Sequence, residues 1–325
     1  MLSLRGKEKD EKCLPIAAIL DKLDTKIKTK DLKKIFIKGD LYQDIDDLVP
    51  ELSTTKENKM SIFKKHISLY KKLSKKERDS IISDYSDNKE ESTNDKLQRI
   101  YEDGLVFVKR SLCCYLDFGL TEDLFPIIED ISKKSARIMI SGQSGSGKSY
   151  WISQFCKYNT KKTTPIFIFS PFKRDKSLDG IKQLIYLDLD EFEDENGRKF
   201  EMEDLEEDCV CIFDDIDSHA TKAKELQKLR DICLQRGRHH GDAGITTITV
   251  SHNPMGNEKT KASLRESNYF VLFPRANERD VEKLLLNYCK YSAQQIAEVL
   301  AARTRWVFIS KLPRYFVGEH SIRLF

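Results

Sequence analysis

At 325 residues the chain is long enough for one sizeable domain plus an accessory module, or for two modest domains. Its residues are 39% hydrophobic and 34% charged, and the formal net charge of +3 gives no overall electrostatic pull toward a polyanion. No apolar run is long enough to span a bilayer, and the opening stretch MLSLRGKEKDEK lacks the apolar core of a secretory signal.

Residues 1–100 read as an accessory module, mainly helical and partly flexible. Short apolar patches at Ile16–Leu20 and Ile35–Ile37 are separated by charged stretches. From Lys59 to Tyr85 the spacing of Ile62, Phe63, His66, Leu69, Tyr70 and Leu73 predicts an amphipathic helix. Asp84–Asp95 is polar and reads as a linker, and the basic cluster Lys71–Lys76 reads as a solvated helix face.

Residues 101–325 read as a second domain. Gly104–Leu116 is rich in Val, Phe, Leu and Tyr and predicts one or two strands, and Leu124–Ile131 predicts a short helix. Apolar strands alternate with helices from there on, an α/β pattern with a mainly parallel central sheet. Strands are expected at Ile138–Ser141, Ile166–Ser170, Leu184–Leu189, Cys209–Phe213, Ile245–Val250 and Tyr269–Phe273. Trp151, Ile152, Phe155 and Cys156 have helical spacing, as do Leu226, Leu229, Ile232 and Cys233 within Lys222–Gln235. Asp188–Asp208 is acidic and reads as a solvated insertion. Asn277–Cys289 and Ser292–Ala302 predict helices with capping starts, Asn277 with Asp280 and Ser292 with Gln295. Trp306–Ile309 and Tyr315–Val317 predict a terminal strand pair. The eight cysteines show no paired C-x-x-C with partner histidines, which leaves free thiols in a reducing compartment as the expectation.

The chemistry-bearing stretch is Gly142–Ser149, GQSGSGKS, which fits G-x-x-x-x-G-K-[ST] between a strand and a helix. Backbone N–H groups of Gly142, Gln143, Ser144, Gly145, Ser146 and Gly147, with the helix start at Tyr150, are expected to cradle phosphates. Lys148 is expected to reach the β- and γ-phosphates of ATP, and Ser149 to hold Mg²⁺. Downstream, CVCIF ends in Asp214-Asp215, the pattern of a Walker B strand. Asp214 is expected to hold Mg²⁺ through water, and Asp215 to orient or deprotonate the attacking water.

On these residues the stretch Arg137–Arg275 resembles the FtsK–HerA superfamily of P-loop ATPases that pump DNA, above all the poxvirus-type genome-packaging ATPases of large DNA viruses. GQSGSGKS matches that family's Walker A loop, CVCIFDDID its Walker B, and GRHHGDAGITTITVSHNP its stretch from an arginine-bearing helix end through the sensor strand. The chain departs from related bacterial translocases in two places. His252 stands where they carry the sensor glutamine, with Pro254 at the following proline, and Asp215 stands where glutamate is frequent.

The resemblance implies a P-loop NTPase that hydrolyses ATP with Mg²⁺ and works as a homo-oligomeric ring. Its partners would be double-stranded DNA and viral capsid or portal-vertex proteins, in the virion or at a viral assembly site in the host cytoplasm. It also implies a sensor at His252 and an arginine reaching the site from a neighbouring subunit, with Arg238, Arg236 and Arg265 as candidates. Two other readings share the nucleotide site: a helicase or helicase-loading ATPase acting on single strands, and an NTP-dependent assembly switch.

Overall fold

The computed structural model describes residues 2–3, 13–20, 34–38, 115–117, 123–128, 135–171, 174–187, 199–218, 223–252, 255, 260–276, 278–302 and 304–325. In chain order the elements are β1 (Leu2–Ser3), β2 (Cys13–Leu20), β3 (Lys34–Lys38), β4 (Tyr115–Asp117), β5 (Asp123–Pro126), β6 (Arg137–Ser141), α1 (Lys148–Asn159), β7 (Ile166–Phe169), β8 (Leu184–Tyr186), β9 (Val210–Asp214), α2 (Ala223–Arg236), β10 (Thr246–Ser251), α3 (Lys261–Glu266), β11 (Tyr269–Leu272), α4 (Glu278–Leu284), α5 (Ala293–Leu300), β12 (Val307–Ser310), β13 (Tyr315–Gly318) and β14 (Ser321–Leu324). A π-helical turn, Leu285–Cys289, continues α4.

A 10-stranded sheet runs in the order β4-β14-β13-β12-β11-β6-β10-β9-β7-β8. From β11 to β8 every pairing is parallel, and from β11 to β4 every pairing is antiparallel. The parallel strands read as unbroken apolar or β-branched runs, IFIF in β7 and TTITVS in β10, because both faces are covered. Alternate residues serve opposite faces. Ile138 and Ile140 of β6 pack with Trp151, Ile152 and Phe155 of α1, whereas Met139 between them packs with Leu264, Leu284 and Leu285. On β9, Val210 and Ile212 face the α1 side, while Cys211 and Phe213 face Leu226, Leu229 and Cys233 of α2. The buried cysteines are therefore core residues, and burial pushes the Cys156 thiol up to about 12.

A smaller 4-stranded antiparallel sheet, β1-β3-β2-β5, packs on the α1 side. Ala17, Leu124, Phe125 and Ile128 join the α1 core, with the Phe125 ring 5.4 Å from those of Trp151 and Tyr158. Burying side chains of this size contributes about 1.5–3 kcal/mol each. Asn159, the last residue of α1, accepts a hydrogen bond from Ile128 N at 2.8 Å and donates one to Pro126 O at 3.1 Å. Strands from both sides of residue 100 thus share one sheet.

Several expectations are corrected here. The described residues of the first hundred are strands rather than helices: Ile16–Leu20 and Ile35–Ile37 are short, isoleucine-bearing patches that pair with one another and with β5. The helix expected over Lys59–Tyr85 and the linker Asp84–Asp95 lie outside the described residues. Leu124–Ile131 does not form a helix at its start, because Asp123–Pro126 is claimed by pairing with β2. On α2 the buried stripe is Leu226, Leu229, Arg230, Cys233 and Leu234, and Ile232 is exposed. β14, missed in the sequence, extends the terminal strand pair. The capping box of Ser292 and Gln295 is present, and Asn277 lies outside the described residues.

Candidate functional site

The site lies at the C-terminal ends of adjacent parallel strands, where open α/β sheets place their ligand crevice. Register puts Ser251 of β10 opposite Ser141 of β6, and Val250 opposite Asp214 of β9, so the three strand ends finish nearly level. β10 lies between the other two.

From Ser141 the chain turns through Gly142–Gly147 into α1. Gly147 caps the helix with φ 103°, a left-handed conformation that a Cβ would strain. At Gly142 the demand is space: a Cβ would sit 2.6 Å from Ser146 Oγ and 2.7 Å from Cδ2 of Phe273, the residue that follows β11. Phe273 is thus an aromatic wall behind the loop that sequence reading did not single out. The first N–H groups of α1 have no partner within the helix, and no acidic residue occupies its first turn, so the helix start presents a positive end. Ser146 Oγ is buried without a hydrogen-bond partner. These features fit a phosphate group. Tyr150, in the same turn, is 54% exposed.

Lys148 is buried, and its Nζ donates to Gly142 O at 2.8 Å, to Gln143 O at 2.9 Å and to His252 Nδ1 at 3.2 Å. An ammonium only donates, so His252 Nδ1 acts as the acceptor and the ring proton sits on Nε2. Nε2 faces Asp215 Oδ2 at 3.5 Å. Burial lowers the Lys148 pKa from its ordinary value, and the charges of Asp214 and Asp215 oppose that shift.

Asp214 ends β9, and Asp215 follows with φ 50° and its N–H on Val250 O at 3.3 Å. The Asp214 carboxyl is pushed up to about 6, first by burial and then by the charge of Asp215, with Lys148 pulling the other way. A divalent cation here would relieve that cost, so the donor set fits Mg²⁺, which is held by one or two carboxylates plus waters and phosphates. The turn after Asp215 is pinned to α2. Gln227 Nε2 donates to Asp217 Oδ1 at 2.7 Å, and Arg230, fully buried, has Nη1 3.8 Å from the same oxygen and Nη2 2.9 Å from Asp231. Arg230 occupies a position of the α2 stripe that apolar spacing alone assigns to a hydrophobe, so the sequence signal was the i, i+4 spacing from Leu226.

Asp175 completes the site and was not anticipated. It follows β7, and its carboxylate accepts a hydrogen bond from Ser177 N at 2.8 Å. Burial pushes its pKa up, but the nearby hydroxyl of Ser149 and the Ser177 groups outweigh it and hold the carboxyl below its ordinary value.

The structure therefore brings Lys148, Ser149, Asp214, Asp215 and His252 together. It does not bring Arg238 or Arg265 to them within one chain. Arg238 lies in the turn Gly237–His239, beside the start of β10, with Nε on His239 Nε2 at 2.9 Å. Arg265 is exposed near the end of α3, ahead of β11. Both sit at the opposite ends of the strands, about 15 Å away at ~3.3 Å per residue. Arg236 ends α2 in the same region, and Pro254 lies outside the described residues.

The loop, the strand order and the facing acids define a protein of P-loop architecture. The chain is 33% identical over 183 residues to the "Uncharacterized protein V3" of Sputnik virophage, a match covering 54% of this chain and 70% of that protein. It belongs to the same family as that virophage protein. No protein-family model matches the chain. Among solved structures it is similar to the genome packaging NTPase B204 of Sulfolobus turreted icosahedral virus 2 in complex with sulfate. That match is 15% identical, covers 57% of this chain and 96% of the other, and has a TM-score of 0.35. It is also similar to the pCW3 conjugation coupling protein TcpA in its monomer form with ATPgS, at 14% identity, 65% of this chain, 66% of that one and a TM-score of 0.40.

Proposed function

We propose that this chain is an ATPase of the FtsK–HerA kind that drives double-stranded DNA into a viral capsid. The observation that carries the reading is the convergence of Lys148, Asp214, Asp215 and His252 on one crevice, with the His252 strand between the other two. Family membership with a virophage protein supports a viral setting, either in the virion or at an assembly site in the host cytoplasm. The working form is a homo-oligomeric ring, and capsid or portal-vertex proteins are the docking partners. Among the described residues no helix is long and apolar enough to cross a membrane.

In this reading the N–H groups of residues 142–147 and the start of α1 bind the phosphates of ATP. Lys148 exchanges its carbonyl and imidazole partners for the β- and γ-phosphates. Ser149 and Asp214 would hold Mg²⁺, which when bound would neutralise phosphate charge. Asp215 orients the attacking water and accepts its proton. His252, released from Lys148, reports the γ-phosphate to the strand that carries it. Arg238 or Arg265 enters from a neighbouring subunit.

The deciding experiment measures ATP hydrolysis with duplex DNA, with single-stranded DNA and without DNA, alongside mass in solution with ATP. Stimulation by duplex DNA together with a ring-sized mass is expected. Stimulation by single strands alone would transfer the chain to the helicase reading, and nucleotide binding without turnover to the switch reading. Lys148→Ala is expected to lower hydrolysis by about 10²-fold or more while leaving the circular dichroism spectrum unchanged. Full turnover by that variant would remove the P-loop assignment.

A further inference from the structure

We infer that the surface at the N-terminal ends of β6 and β11, with the turn from β12 to β13, is where the chain holds the phosphates of duplex DNA; this rests on the DNA reading above. With a formal net charge of only +3, a hold on a polyanion has to come from a local concentration of cations. The sheet register makes one. Arg137 opens β6, Arg265 lies near the end of α3 ahead of β11, and Lys311 and Arg314 bound the turn from β12 to β13. Asn268 N donates to Arg137 O at 2.8 Å and Lys311 N to Asn268 O at 3.0 Å, so these strand ends are level. Tyr315 pairs with Ser310, which brings Arg314 to the same end. Neighbouring strands β6, β11, β12 and β13 thus carry one cation each there, in a row about 14 Å long at ~4.8 Å per strand.

The row opens into a cavity of about 250 Å³, lined by Arg137, Arg265 and Lys311 together with Ser135 and Asn268. The acid among its walls, Glu266, is already engaged by Arg137 at 3.0 Å. Arg, Lys, Ser and Asn are the side chains that hold backbone phosphates in protein–DNA contacts. Arg137 and Lys311 have fixed partners and shape the wall. Arg265 and Arg314 are exposed, and neither guanidinium has a partner among the described residues. Asn268 gives its Oδ1 to Arg137 Nε at 2.9 Å, which leaves its amide N–H groups as donors. Burial lowers the Lys311 pKa, and the charge of Arg137 adds to that shift, so a phosphate here would offset both. Leu312, 84% exposed, lies between Lys311 and Arg314 and offers apolar surface to a sugar flanked by phosphates.

A free phosphate would need the cavity alone. Cations spread over four strands fit an anion that repeats, and the row covers about four base pairs at ~3.4 Å each. The same strands lead to the nucleotide site: β6 runs from Arg137 into the phosphate loop, and β11 runs to Phe273 behind Gly142. Assigning Arg265 to DNA leaves Arg238, at the start of β10, as the arginine for a neighbouring subunit.

The test measures binding of the full chain to a mixed-sequence duplex by fluorescence anisotropy, without nucleotide, from about 50 to 200 mM salt, with mass in solution followed in parallel. Wild type, Arg314→Ala, Arg265→Ala, their double variant and Lys283→Ala, which removes an exposed cation of α4, are compared. The slope of log affinity against log salt is expected to fall by about 1 for each arginine variant and by about 2 for the double variant, equally on two unrelated sequences. Lys283→Ala is expected to keep the wild-type slope. Arg314→Ala is expected to keep basal ATP hydrolysis and to lose part of its stimulation by duplex DNA.

Duplex binding with the wild-type slope in both arginine variants overturns the inference and leaves the DNA reading standing. An equal loss of slope in Lys283→Ala also overturns it, because the effect would then be one of overall charge. So does a loss of slope that tracks a fall in mass, which would make the row a contact between copies. Should the double variant fail to fold by circular dichroism, Arg314→Ala decides. Failure of wild type to bind duplex DNA at any salt defeats the DNA reading and this inference together.

Discussion

At the C-terminal ends of the parallel strands, Lys148 is buried against two carbonyls and an imidazole, and Asp214 ionises only near pH 6 because burial and Asp215 oppose its charge. At the N-terminal ends, Arg137 is shared between Asn268 Oδ1 at 2.9 Å and Glu266 at 3.0 Å. Nearby, Lys311 Nζ donates to the carbonyls of Leu264 and Arg265 at the end of α3, both at 3.2 Å. The first set of charges is held at a cost that a ligand can relieve. The second is already matched by fixed partners and joins α3, β6, β11 and β12. In the proposed reading, charged residues therefore mean different things at the two ends: chemistry at one, scaffold at the other. Burial lowers the pKa of Lys311 as it does that of Lys148, so it is the carboxyl of Asp214, raised to about 6, that sets the first end apart.

The largest test of this contrast concerns the arginines that sit with the scaffold charges but are proposed to serve a neighbour's chemistry. Arg238→Ala or Arg265→Ala is expected to lower hydrolysis by about 10³-fold if that residue is the finger, without weakening nucleotide binding. Mixing the inactive variant with Lys148→Ala is expected to restore part of the activity, because each subunit supplies what the other lacks. Absence of recovery on mixing would confine both arginines to the scaffold.

Next comes Asp214→Asn, read by urea denaturation without nucleotide. The folded-state pKa of Asp214, about 6, lies above the ordinary 3.8. Well below pH 3.8 the group is protonated in both states and costs nothing. As pH rises to 6 the unfolded chain ionises first, so the native state loses stability, and the loss is complete above 6. The neutral amide escapes this loss, so the variant is expected to be more stable than wild type by about 1–3 kcal/mol at pH 7.5. It is expected to approach wild type well below pH 3.8, and to lose Mg²⁺-dependent nucleotide binding. Equal stability of variant and wild type at pH 7.5 would show that the site carries no such charge cost.

The smallest effect belongs to the other end. Arg137→Ala is expected to cost about 1 kcal/mol in denaturation and to leave nucleotide affinity unchanged. A loss of nucleotide affinity without a loss of stability would erase the distinction between the two ends.

How much of this was legible follows from the range of the interactions involved. The loop Gly142–Ser149, the strand before it and the helix after it are consecutive, so local spacing revealed them. Asp214-Asp215 and His252 were legible because each closes an apolar strand, and strand ends in a parallel sheet converge. Asp175 carried no such mark: it lies 26 positions from Ser149, and one aspartate in a polar turn looks like any other. Arg230 was hidden by its type, since a charged residue at the buried spacing of α2 reads as an exception until Asp231 and Asp217 are seen beside it. β5 was misread because its partner, β2, is about a hundred residues earlier, and the local pattern around Leu124–Ile128 suits a helix just as well.

The two hydrogen bonds that Asn159 makes with the end of β5 have a mechanical consequence. Helix α1 begins at the phosphate loop and ends on the small sheet, with Trp151 and Phe155 gripping both walls along its length. Twelve residues of helix form a rod about 18 Å long. Gly147 and the end of β5 at Pro126 and Ile128 are thus joined through a single packed helix. The chain has a built-in tie-rod, with the nucleotide loop at one anchor and the N-terminal strands at the other.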